Sequence, residues 1–129
     1  MSLIIDSLKL GCKDHADITV YIKDDVLTKY NTFNLNNILI KHVEVRQKID
    51  YICYIRCSLI DKDTNIFNGE KSDIIGVIPV FLNNPKRYFD YRLNIQRSIG
   101  SKDFNAIRIT LEGFHDNVIE HVVYELEFF

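Results

Sequence analysis

The chain has 129 residues, 47% of them hydrophobic and 26% charged, with a net charge of −2. That is the size and balance of one soluble domain, 1–129, which buries about two-thirds of the surface its unfolded chain exposes. Lys and Arg are scattered; even the densest group, Lys41, His42, Arg46 and Lys48, has Glu44 in its midst, so no specific nucleic-acid binding is expected. The longest apolar run, IIGVIPVFL, falls far short of the ~20 residues of a membrane span, and Asp6 interrupts what would be the core of an export signal in MSLIIDSLKL.

In chain order, strands are predicted at about 2–10 and 17–23, separated by the turn-rich GCKDHAD. Cys12 and His15 form a Cys-x-x-His pair there, but a structural zinc site needs four ligands and no second pair follows. NLNNILI opens with Asn34 in a helix-capping place and predicts the one short helix of the chain, with a strand at 38–46. The next strand, 50–60, carries Cys53 and Cys57 four residues apart, about 13 Å in extended backbone. A disulfide needs Cα atoms within about 7 Å, so these two are read as small core residues of a reduced, intracellular protein.

The polar segment DKDTNIFNGEKSD spaces Asp61, Asp63 and Asn65 like the start of a calcium loop. Such a loop requires Gly at its sixth position and Glu at its twelfth, and here those are Ile66 and Ser72. It is read as a connection, with Ile66 and Phe67 expected to fold back onto the core; the alternative is that they project toward a neighbour. A strand follows at 73–82, where Pro79 demands an edge position or a bulge because it cannot donate to a ladder. In RYFDYRLNIQRSI, Phe89, Tyr91, Leu93, Ile95 and Ile99 alternate with Asp90, Arg92, Asn94 and Gln96, the period of a strand with one buried face. AIRITLE and VVYELEFF repeat that logic, with Ile107, Ile109 and Leu111, then Val122, Tyr124, Leu126 and Phe128 turned inward. About eight strands without long helices predict an all-β antiparallel sandwich.

Catalytic signatures are missing: no Gly-x-Ser-x-Gly, no glycine-rich phosphate loop, and four histidines without metal-ligand spacing. No catalytic, cofactor-binding or metal-binding residue is therefore assigned, and no cofactor is expected. Contact surfaces are the better candidates. The second face of strand 50–60 holds Ile52, Tyr54 and Arg56, only half polar, and Phe129 points opposite to Phe128. Together with Val123 these are candidate oligomer-interface residues, since aromatic side chains and Arg are enriched where protein surfaces meet. Ile66, Phe67, Tyr88 and Phe114 are candidate loop contacts.

The run YICYIRCSLIDKDTNIFNGEKSDIIGVIPV, then YFDYRLNI, AIRITLEGFHDN and VVYELEFF, resembles the jelly-roll capsid, penton and fibre-type proteins of adenovirus-like elements, the Polinton or Maverick group and related large DNA viruses. The likeness covers about residues 50–129. It implies a jelly-roll-like sandwich and a non-enzymatic structural or assembly role in a virion assembled in the host cytoplasm or nucleus. It further implies a homo-oligomer, trimer or pentamer, with other virion proteins as partners. A receptor- or glycan-binding module acting through its loops is the alternative expectation.

Overall fold

A computed structural model describes residues 1–23, 27–42, 51–80, 88–100, 105–113 and 119–129. Its strands are β1 (Ser2–Asp6), β2 (Asp17–Tyr21), β3 (Thr32–His42), β4 (Tyr51–Cys57), β5 (Ile66–Phe67), β6 (Glu70–Lys71), β7 (Ile74–Val80), β8 (Tyr88–Ser98), β9 (Ala106–Glu112) and β10 (Ile119–Phe128). Eight of them build two four-stranded antiparallel sheets, in the orders β1-β10-β3-β8 and β2-β9-β4-β7, which pack as a sandwich. The expectation of eight strands is two short. The extra pair, β5 and β6, is a two-residue hairpin within the connection from β4 to β7.

The pairings are nested. β4 with β7, β3 with β8, β2 with β9 and β1 with β10 make one long antiparallel ribbon whose tip is the segment 58–73, and the ribbon is rolled so that β10 also meets β3 and β9 also meets β4. That is the jelly-roll topology. The polar segment around Asp61 is thus the hairpin tip of the ribbon.

The inward faces follow from alternation. Ile107, Ile109 and Leu111 of β9, Val122, Tyr124, Leu126 and Phe128 of β10, and Cys53, Ile55 and Cys57 of β4 are all buried in one core between the sheets, and at 25 cal/mol/Å² such burial is the main source of stability. Phe89, Tyr91, Leu93 and Ile95 of β8 are only partly covered, as suits an edge strand. Pro79 lies on β7, the edge of its sheet, where its missing N–H costs no ladder bond. The opposed ladder is also irregular between Ile55 and Arg56.

The helix expected from NLNNILI is absent: residues 34–40 belong to β3. The reason is a β-bulge. Leu35 faces Leu126 and Ile95, whereas Asn37 faces Glu125 and Arg92, which leaves Asn36 out of register against both neighbours. Buried positions therefore run Phe33, Leu35, then Ile38, Ile40 and His42, and the change of parity imitates helical spacing. The strand expected at 2–10 ends at Asp6, whose carboxylate accepts the amides of Leu8 and Lys9 (3.0 and 3.4 Å) and turns the chain toward Gly11, at φ +68°. Residues 43–46 and 81–82, also expected as strand, lie outside the described residues.

Candidate functional site

Cross-strand partners share a face, so register alone assembles the outer surface of the β2-β9-β4-β7 sheet. Ile52 stands beside Pro79, and Tyr54 between Val77 and Glu112. Ile52 and Val77 are 47% and 46% exposed, and Pro79 is exposed as well. Phe67 reaches over from the β5–β6 hairpin and meets Tyr54 edge to face, with centroids 5.6 Å apart. Ile52 and Tyr54, with Glu112 and Gly113, also line a shallow depression of about 190 Å³. The result is an apolar patch at the sheet edge made of Ile52, Tyr54, Phe67, Val77 and Pro79.

Charge rims it. The Arg56 guanidinium lies 2.5 Å from Asp73 and 2.7 Å from Glu112, so one side chain fixes the β4–β7 connection against β9. Those contacts, Glu112 first, raise the affinity of Arg56 for its proton. Further along the face, Arg108 clasps Asp17 through two contacts of 2.8 and 2.6 Å, and this guanidinium holds the Asp17 carboxyl below the ordinary carboxylate value.

The remaining candidates are dispersed. Val123 is half-buried on β10, between Asp6 and Leu39, on the other sheet. Phe129 is 59% exposed, and its carbonyl accepts the amides of Asn31 and Thr32. Ile66 and Phe67 do not fold back onto the core: Ile66 is 61% exposed and Phe67 covers Tyr54 from outside. Tyr88 opens β8, while Phe67 belongs to the connection that bridges to the far end of that strand through Ile60 and Ile99, roughly 30 Å away in extended backbone. Phe114 lies outside the described residues.

Several polar groups elsewhere are occupied structurally. Asp61 caps the 3₁₀ turn Lys62–Thr64 by accepting the Asp63 amide, Asp63 pairs with Lys71 at 2.9 Å, and the buried Asn65 amide donates to the carbonyls of Ser72 and Ile74. The three residues with calcium-loop spacing thus shape the hairpin tip. Asp6, His121 and Tyr88 form a chain across β1, β10 and β8: His121 Nε2 is 2.8 Å from the carboxylate and Nδ1 is 2.7 Å from the phenol. Burial works to raise the Asp6 carboxyl, but the His121 ring and the Lys9 and Leu8 amides outweigh it and hold it below its ordinary value. Ser7 is fully buried; its hydroxyl accepts the Val122 amide and meets His15 Nδ1 at 2.7 Å, which ties the chain after β1 to β10 and to the turn before β2.

A second surface escaped the sequence reading. On the outer face of the β1-β10-β3-β8 sheet, Asn34, Asn36, Asn37, Arg92, Asn94, Glu125 and Glu127 line a groove of about 390 Å³. Plain alternation sends Asn36 and Asn37 to opposite faces; the bulge brings both to the groove. Opposite it, Asn94 has φ +50°, a left-handed conformation that Asn tolerates better than most residues. The available signal was three asparagines in four positions of a strand, a residue type poorly suited to strands.

No protein-family model matches this sequence, and no curated protein matches it.

Proposed function

We propose that this chain is a non-enzymatic structural subunit, of minor capsid, penton or fibre-head type, that assembles with copies of itself through the outer face of β4 and β7. The observation that carries this reading is the apolar patch of Ile52, Tyr54, Phe67, Val77 and Pro79 bordered by the Arg56 ion pairs. An apolar centre with a charged rim is the anatomy of a protein interface, and an uncovered patch is a liability for a lone domain. The jelly-roll topology agrees with the resemblance of residues 50–129 to capsid-type proteins, which supplies the virion setting. The partner is a second copy because β7 places the patch at a sheet edge, where a symmetric neighbour meets the same residues.

Light scattering coupled to size exclusion at tens of micromolar tests this. A closed oligomer is expected for the native chain and a monomer for Tyr54→Lys and for Ile52→Glu, each with an unchanged circular-dichroism spectrum. A native chain that is strictly monomeric overturns the reading.

A further inference from the structure

The groove on the outer face of the β1-β10-β3-β8 sheet is lined entirely by polar side chains that converge from three strands. Part of its lining is already tied together. The Asn34 amide donates to Asn36, Asn36 donates to Glu127 at 2.8 Å, the Asn37 amide donates to Asp90 at 3.3 Å, and Arg92 Nε meets the same Asp90 at 3.2 Å. These bonds hold the walls. They leave over the Glu125 carboxylate, the Asn94 amide and the terminal nitrogens of Arg92, none of which has a protein partner among the described residues.

The leftover set contains donors and acceptors side by side: a carboxylate accepts, a guanidinium donates, and an amide does both. Two carboxylates, Glu125 and Glu127, against one guanidinium give the groove a net negative charge, which disfavours phosphate or any other anion. The Arg92 cation in the same wall, and the engagement of Glu127 by Asn36, disfavour a calcium ion, which takes six to eight oxygen ligands. No apolar side chain lines the groove to hold a greasy ligand. A neutral ligand dense in hydroxyls matches what remains, because each hydroxyl both donates and accepts and vicinal pairs fit amide and carboxylate forks.

We propose that this groove is a binding site for a neutral saccharide, which it takes edge-on through its hydroxyls. Its volume lies at the small end of the usual range for ligand sites, enough for a ligand of one or two rings. No aromatic ring lines it, so the sugar gains no stacking energy and the dissociation constant is on the order of 1 mM. The site is independent of the assembly surface, which belongs to the other sheet.

The test is a titration of the full ¹⁵N-labelled chain with lactose, maltose, cellobiose and diacetylchitobiose, followed through the side-chain amide signals of Asn34, Asn36, Asn37 and Asn94. At least one sugar is expected to shift these signals saturably. Asn94→Gly, which removes the amide while easing the backbone, and Glu125→Ala are each expected to weaken binding at least about tenfold. Tyr54→Lys, which addresses assembly, leaves binding unchanged. The proposal is overturned by an absence of saturable shifts with all four sugars, by binding that survives both groove variants, or by saturation of the same signals with inorganic phosphate or calcium instead.

Discussion

The ring of Phe67 stands nearly perpendicular to that of Tyr54, at 78°, so that a hairpin of two-residue strands is anchored to the middle of a four-stranded sheet. Edge-to-face pairs contribute about 1 kcal/mol beyond their buried area. Phe67→Ala, which also gives up the area the half-buried ring covers, is expected to lower stability by more than that amount in urea titrations. In sedimentation equilibrium its effect on self-association should be larger, at least about tenfold, because the ring belongs to the patch as well as to the fold.

Arg56 sits between Asp73 and Glu112, but its side chain is 35% exposed and that of Glu112 49%. Solvent screening discounts such pairs to about 1 kcal/mol or less. Arg56→Met should therefore cost under about 1 kcal/mol, and the cost should shrink in high salt. Paired urea titrations at low and high ionic strength measure it.

Three thiols differ sharply in environment. Cys53 and Cys57 are buried in the sandwich core, and burial pushes each thiol from the ordinary 9.0 up to about 12. In a native labelling experiment near pH 8 only Cys12, which is partly exposed, should react with a disulfide reagent; all three should react in denaturant. The folded state binds the thiol protons more tightly than the unfolded chain does. The stability this contributes is complete below pH 9 and is lost as pH rises toward about 12, by up to about 1.4 kcal/mol per pH unit for each thiol. Denaturant titrations between pH 7 and the alkaline limit check the slope, and Cys57→Ala should flatten it.

Two glycines separate close approach to backbone from close approach to a side chain. A Cβ on Gly100 meets the Ile60 carbonyl oxygen at 2.7 Å and the Asp61 Cα at 2.8 Å, where the chain donates from Gly100 N to Leu59 O. At Gly76 the contact is the tip of the Ile95 side chain, which can turn away. Gly100→Ala is expected to destabilise by about 1–3 kcal/mol and Gly76→Ala by clearly less, as read from their thermal midpoints.

The strands that obey strict alternation were legible from the residues. In β9 and β10 every expected inward side chain from Ile107 to Phe128 is buried, and the proline in β7 announced its edge. Of β3 only the part from residue 38 was legible as strand; its first half was not, because a bulge at Asn36 shifts the parity midway and makes an extended segment carry apolar residues at helical intervals. Ile66 and Phe67 misled for a different reason: apolarity says that a side chain seeks cover, not whether the cover is the core or the outside of Tyr54. The groove needed the register of three distant strands, since Asn36, Asn94 and Glu125 meet only after β3 is paired with both β8 and β10.

The concentric pairing of the ribbon governs how the molecule is made. Among the nested pairs of the two sheets, β4 with β7 is the first that can zip after leaving the ribosome, while Ser2 must wait for Glu127 and Leu3 for Leu126. Closure over such separations is slow, on the millisecond-to-second scale of all-β domains. Until β10 has been synthesised, β1 and β3 lack the strand that lies between them. A nascent chain therefore carries two unmatched edges until β10 has emerged, and chaperone capture during that interval should matter more for its yield than for that of a helical domain of equal size.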